Sequence, residues 1–366
     1  MEHHDVVVVG RGLIGTAATR HLADAGHNVA LIGPLEPDDY TGPGPYSSHF
    51  DQGRVTRIAA FEEPWGTWAK ASIERYEEIT RRSGIEFHDP VGLAVLAKDA
   101  EQAVAIGDGL GADVSLLTAT ELRDRCGIAS VVPEHRIAWE GAPAGIINPR
   151  ALREAQIRCA SQANASIIDD VIVGVESDRS PVSLALRSGT TVTADRVLFC
   201  TGAYGAEVLG IDMPLQKRLR TIVLAELDDG PDLPTLIIDD PPHPALEEAY
   251  WVPPVLWPNG KRLIKIGGDS VPMNVGTINE EIDQWFRDGA SSAEADALFE
   301  LLVTLLPDRH VTRFAHKPCV VSYTPSGVPH ITSVSDTISV AFGGCGAGAK
   351  SSDEIGRLAA EELISG

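Results

Sequence analysis

Three glycines spaced as Gly10-Arg11-Gly12-Leu13-Ile14-Gly15 carry the clearest chemistry in this chain. The pattern follows four consecutive valines, Val6 to Val9, and precedes a helix-like segment, Thr16 to Ala25, ended by Gly26. In that context Gly10 makes a tight turn out of a strand, Gly12 lets the backbone approach a pyrophosphate, and Gly15 lets the helix pack close to the strand. The free N–H groups of the first helical turn, those of Leu13 and Ile14 among them, then face the phosphates. A second apolar run, Val29 to Ile32, completes a β-α-β unit, so the segment is expected to bind a dinucleotide. One element departs from the pattern. Gly33-Pro34 stands where an acidic residue ordinarily takes the ribose hydroxyls, which leaves Glu36 or Asp38 to reach back.

Composition narrows the partners. The 366 residues include 30 basic and 52 acidic side chains, a formal charge of -22 that argues against nucleic acid or an anionic membrane. An anionic substrate must therefore be captured by a local basic site, against the overall field. No apolar run approaches the roughly 18 residues that span a bilayer, and a first strand starting at Asp5 leaves no room for a signal peptide, so a cytoplasmic protein is expected. The five cysteines, Cys126, Cys159, Cys200, Cys319 and Cys345, show neither a CxxC pair nor metal-ligand spacing, so neither a disulfide framework nor a metal site is expected.

The elements that must position this chemistry can be read along the chain. Residues 34–53 form a long loop rich in Pro, Gly, Ser and Asp. Apolar positions from Trp65 to Ile79 predict one amphipathic helix over 64–82, with its tryptophans in the core. Asn148-Pro149 caps a helix running to about Asn164. Strand-like segments follow at 165–175, which includes Val171, and at 182–186, 190–193 and 196–200. The last of these ends in Thr201-Gly202-Ala203, a small-residue turn suited to a cofactor lying against backbone. Residues 219–268 read as an antiparallel sheet of a second domain. Helices follow at 278–288 and 291–306, the latter opened by a Ser291-x-x-Glu294 capping box. Strands at 311–323 and 338–342 lead to a glycine-rich turn and a helix over 350–363, so the dinucleotide domain is assembled from N-terminal, middle and C-terminal pieces.

With these pieces in order, the chain resembles the D-amino-acid-oxidase-like FAD-dependent oxidoreductases, in the branch of monomeric sarcosine oxidase and N-methyl amino acid oxidases. Four regions carry the resemblance: the Gly10–Gly15 turn, Ser48 to Arg57, His316-Lys317-Pro318-Cys319, and Gly343 to Lys350. It implies an α/β (α+β) fold in which a Rossmann-like FAD-binding domain (1–60, 140–212 and 313–366) is interleaved with a substrate-binding domain on a mostly antiparallel sheet (61–139 and 213–312). Gly10, Gly12, Leu13, Ile14, Gly15, Val171 and Gly202 fall on the cofactor, and Ser48, His49 and Arg54 would line the flavin. Cys319 matches the cysteine that relatives join to the flavin 8-methyl carbon, with Lys317 or His316 as a basic neighbour favouring its thiolate. Gly344, Gly346 and Gly348 lie in the turn whose backbone stabilises negative charge on the flavin. Arg57 and Lys350 would clamp the substrate carboxylate, since a guanidinium forks onto a carboxylate and a cation at a helix N-terminus needs an anion to offset it. Lys265 would sit over the flavin and help dioxygen accept electrons, with burial tuning its pKa downward.

The resemblance implies an FAD-dependent oxidase of a secondary or N-substituted amino acid: hydride passes from the C–N unit to flavin N5, and dioxygen becomes hydrogen peroxide. Departures concentrate around the amine. Phe50 and Asp269 replace histidines, Gly53 a threonine and Val321 a tyrosine; Asp269, counted with the catalytic group, would favour a cationic or larger amine. The alternatives are a flavin dehydrogenase or 2-hydroxy acid oxidase of the same fold, or a non-catalytic FAD-binding subunit. The protein is expected to be a monomer or homodimer.

Overall fold

Val6, Val7, Val8 and Val9 are buried because their strand lies in the middle of a sheet whose neighbours run parallel to it and whose faces are both covered. The computed structural model describes residues 2–48, 50–178, 180–211 and 213–365. The strand Glu2–Val9 pairs in parallel with Val29–Ile32 on one side, in register Val6 to Val29, and with Thr191–Phe199 on the other. Ser166–Ile168 extends this sheet beyond Val29–Ile32, and Ile338–Phe342 adds a further parallel strand against Thr191–Phe199. The antiparallel strands Ile172–Glu176, Val182–Leu186 and His330–Ser333 complete eight. Helices Leu13–Asp24, Pro149–Gln162 and Ser352–Ser365 pack together beside it through Leu22, Ile157, Ala359 and Leu363.

A second sheet of nine strands is antiparallel except where Thr235–Asp239 meets Leu93–Ala97. Its longest pairing joins Gln216–Leu227 to Val311–Tyr323 along the whole of both strands. Residues 313–323, grouped on sequence with the cofactor domain, pair with Gln216–Leu227 in this second sheet. A small sheet of Arg54–Thr56, Gly145–Ile147 and His88–Asp89 completes the strands.

Several elements differ from their sequence signals. The stretch 64–82 is two helices, Glu63–Ile73 and Tyr76–Ser83, broken at Glu74-Arg75. The backbone tightens there into an Arg75 N–H to Ser72 carbonyl bond, and the Arg75 side chain reaches Asp353 at 3.0 Å and Glu354 at 2.7 Å. The segment 165–175 is two strands separated at Asp169–Val171, and 190–200 is one continuous strand, Thr191–Phe199. Asn148 caps its helix by accepting from the Ala151 N–H at 3.1 Å. Ser291 accepts from the Glu294 N–H at 3.3 Å, but the capping box closes on one side only. The Glu294 carboxylate accepts instead from Thr221 and Ser270, which ties that helix to the second sheet.

Candidate active site

A cavity of about 600 Å³ is walled by residues of both large sheets. At one end stand Gly10, Arg11, Gly12, Leu13 and Ile14, with Gly33, Val171 and Gly202. Gly10 has φ +113°, a conformation L side chains rarely adopt, and Gly12 begins the helix Leu13–Asp24 without any side-chain cap, so the first N–H groups are left for a ligand. Gly15 is off the wall; its lack of a side chain lets the helix lie against the backbone of Gly10. At the other end are Ser48, Arg54, Arg57, Cys319, Tyr250, Tyr323 and the turn Gly343–Lys350, with Gly344, Gly346 and Gly348 on the wall. A Cβ at Gly346 would come within 2.8 Å of the Tyr323 hydroxyl. His49 lies outside the described residues.

Arg57 and Lys350 meet at this second end. The Lys350 ammonium donates to the Trp65 carbonyl at 2.9 Å, and the Tyr76 hydroxyl donates to the Lys350 carbonyl at 3.2 Å, so the broken helix pair positions both ends of this lysine. The Arg57 guanidinium donates to the Ala59 carbonyl. Glu140 accepts from the N–H groups of Ile58 and Ala59, both at 2.8 Å, which shapes the Arg57 loop. Burial, then the charge of Arg57, hold Lys350 well below the usual lysine range against the pull of Glu140; burial also lowers Arg57. The half-buried Arg57 guanidinium and the buried Lys350 side chain on one wall, with the neighbouring carboxylate engaged by backbone, form a receptor for an anion.

Behind Arg54 lies a buried triad. Asp51 accepts from Arg54 and from Lys265, the latter at 2.7 Å, and Lys265 donates also to the Gly53 carbonyl. Burial pushes the Asp51 carboxyl up, yet Arg54 and Lys265 together bring it down to about 2. Burial, reinforced by Arg54, lowers Lys265 to about 8 despite Asp51. Strand alternation thus turns Lys265 inward, 1% exposed, but it stands one layer behind the cavity wall, its ammonium 5.2 Å from the Tyr250 ring. Arg54 is the basic side chain in hydrogen-bond reach of Cys319, with Nη2 3.5 Å from the sulfur, and Lys317, one of the two expected neighbours, also lies within electrostatic range.

Two further expectations are corrected. Asp269 is buried behind the wall and forked by Arg220, with Arg218 at 2.5 Å, so its charge is already matched and it is no receptor for a cationic amine. Arg220 stands on the wall in its place, bound also to Glu248 at 3.1 Å and to the Tyr323 hydroxyl at 2.9 Å. Glu36 holds Arg150 through both oxygens and does not line the cavity, so it is not presented to a ribose. Gly53 is explained by packing: a Cβ there would lie 2.5 Å from Val252. The wall residues Arg220, Glu248, Tyr250 and Tyr323 went unread in the sequence because the bonds that define them join distant strands. Asp51, three residues before Arg54, carried the one local signal. Burial raises Tyr323 to about 12 and Tyr250 beyond that, so both hydroxyls remain donors.

A glycine cradle opening onto a chamber of buried cations and neutral hydroxyls defines an oxidoreductase built around a nucleotide cofactor. The chain belongs to the family of FAD-dependent oxidoreductases, whose model matches residues 5–362. It is 24% identical over 383 residues to a monomeric sarcosine oxidase of Streptomyces avermitilis, covering 99% of this chain and 94% of the relative. An N-methyl-L-tryptophan oxidase of Yersinia pestis is 22% identical over 56% of this chain and 55% of its own length. Among solved structures, NikD, an amino acid oxidase essential for nikkomycin biosynthesis, superposes with a TM-score of 0.81 at 18% identity, covering all of this chain and 94% of that one. Glycine oxidase from Geobacillus kaustophilus gives 0.77 at 22% identity, with 100% and 95% covered. The residues present fit FAD: Gly10 adopts a backbone only glycine takes readily, and the uncapped helix start faces the same cavity. Among the described residues no helix is long and apolar enough to cross a membrane.

Proposed function

We propose that this enzyme is an FAD-dependent oxidase of a secondary or N-substituted amino acid. The observation that carries the reading is the pair Arg57 and Lys350, two basic side chains on the cavity wall, the first half-buried and the second buried. A substrate carboxylate placed between them supplies the missing counter-charge and fixes the substrate in one orientation. FAD held there would supply the redox chemistry that oxidises the C–N unit of the substrate to an imine, the two electrons and two protons being balanced by dioxygen reduced to hydrogen peroxide.

The chain supplies binding and electrostatics around that chemistry. The Gly10–Ile14 turn, Val171 and Gly202 hold the nucleotide half, and Ser48, Arg54 and the Gly343–Lys350 turn face the flavin half. Arg54 and Lys265 against Asp51 leave one net positive charge beside the cavity, which stabilises negative charge arising there. Lys265 acts on dioxygen through that field from its place behind the wall. Cys319, on the cavity wall, is the residue we assign to a thioether with the flavin. The division into two domains follows the two large sheets, with the cofactor on the eight-stranded one.

The reading is tested by mixing purified protein anaerobically with N-methyl, cyclic and primary amino acids and with 2-hydroxy acids. Bleaching of the flavin by a secondary amino acid, with peroxide released on readmitting air, supports it. Bleaching by 2-hydroxy acids alone would overturn the amine assignment, and bleaching without oxygen consumption would make the enzyme a dehydrogenase. A flavin that nothing reduces would mark a non-catalytic subunit.

A further inference from the structure

A chain of formal charge -22 gathers three arginines near the nucleotide end of its cavity. Arg11 lies between two cradle glycines, and Arg150 and Arg153 stand one turn apart on the helix Pro149–Gln162. Glu36 takes Arg150 through both oxygens. Among the described residues, Nε of Arg11 and both Nε and Nη1 of Arg153 are buried without any hydrogen-bond partner. Arg153 is only 9% exposed. Burial lowers its pKa, and the charge of Arg11 lowers it further, against Glu154 and Glu36. A buried guanidinium nitrogen without an acceptor is unfavourable, and Arg11 stands on the cavity wall, where a ligand anion can supply one.

Gly33 supplies the independent observation. A Cβ on Gly33 would lie 2.6 Å from the backbone nitrogen and from the Cβ of Arg11, and both residues stand on the cavity wall. Arg11 therefore occupies the space into which an acidic side chain would extend from this position. The usual acid presents acceptors to ribose hydroxyls and repels a phosphate there, whereas a guanidinium presents donors and forks onto phosphate.

We propose that Arg11, backed by the charge of Arg153, grips the ADP half of the dinucleotide by its phosphate and ribose oxygens in place of the absent acid, and that this site accepts a phosphate on the ribose of an adenosine nucleotide. This rests on the assignment of FAD to the cavity.

The test is calorimetric titration of full-length apoprotein, prepared from riboflavin-starved cells, with FAD, adenosine 5′-monophosphate and adenosine 2′,5′-bisphosphate. The bisphosphate is expected to bind about 10- to 100-fold more tightly than the monophosphate. Arg11→Gln and Arg153→Gln each abolish that advantage and weaken FAD about tenfold or more, while Arg11→Lys retains part of both. Wild-type protein that binds FAD but favours the monophosphate, or shows no preference, overturns this site alone. Folded variants, checked by circular dichroism, that keep the wild-type ratio also overturn it. Wild-type protein that binds no FAD removes the cofactor assignment itself, and this site with it. A variant that fails to fold leaves the wild-type ratio to decide.

Discussion

Nη2 of Arg54 lies 3.5 Å from the sulfur of Cys319, while Nη1 of the same guanidinium is bound to Asp51. Both residues stand on the cavity wall at the end assigned to the flavin, with the guanidinium fixed against the sulfur. Purified protein precipitated with acid is therefore expected to keep its yellow colour in the pellet, and Cys319→Ala to release it to the supernatant. Arg54→Met should lower the fraction of covalently held flavin, read from the absorbance of the pellet. A colourless pellet from fully loaded wild-type protein would sink the covalent assignment.

Replacing either cation of the carboxylate receptor should act on substrate capture. Arg57→Met and Lys350→Met are each expected to lower kcat/KM by about 10²-fold, from the loss of charge-assisted bonds of about 1.5–3 kcal/mol. An amine lacking the carboxylate should be a poor substrate for wild-type protein and no worse for the variants. If the variants discriminate against it as strongly as wild type does, the carboxylate is held elsewhere.

Lys265 in the folded protein titrates at about 8, lowered by burial and by Arg54. It is charged below that pH and neutral above it. The rate at which reduced enzyme reacts with dioxygen should therefore fall as pH rises through about 8, and Lys265→Met should be slower by about 10²-fold and lose this titration. Lys265→Arg should restore much of the low-pH rate and extend it upward. Stopped-flow reoxidation from pH 6.5 to about 9.5 checks both. An unaltered pH profile in Lys265→Met would show that the lysine has no part in it.

Asp51 also sets stability. Its folded carboxyl lies at about 2, below the usual value of 3.8, so its contribution is present above the ordinary carboxylate range and lost as pH falls toward 2. Asp51→Asn leaves Arg54 and Lys265 buried without their shared counter-charge and should cost about 3–5 kcal/mol. Urea unfolding at pH 7 measures it. In Asp51→Asn with Lys265→Met the loss should be smaller than the sum of the two single changes.

Gly53 offers a check on packing. Gly53→Thr drives a side chain against Val252 and should destabilise by about 1–3 kcal/mol, with Val252→Ala recovering part of it. Thermal unfolding of the two variants and their combination decides this.

Much of this protein was legible before folding. Four valines followed by Gly10, Gly12 and Gly15 name a buried strand and a phosphate turn, because the backbone of Gly10 and the close packing at Gly15 admit almost nothing but glycine. Asn148-Pro149 likewise marks a helix start, since a cap acts within one turn. What tertiary structure decided were the partners of charges. Asp269 had the right type and an apolar strand around it, yet Arg220, 49 residues away in sequence, closes onto it across the sheet and takes the place on the wall itself. Glu36 was drawn to Arg150 on a helix 114 residues later, and Arg75, at the break within 64–82, reaches two carboxylates near the C-terminus. Local backbone preferences act over a few residues and can be read in order along a chain. Ion pairing acts through space, and which acid meets which base was settled only when the sheets were assembled.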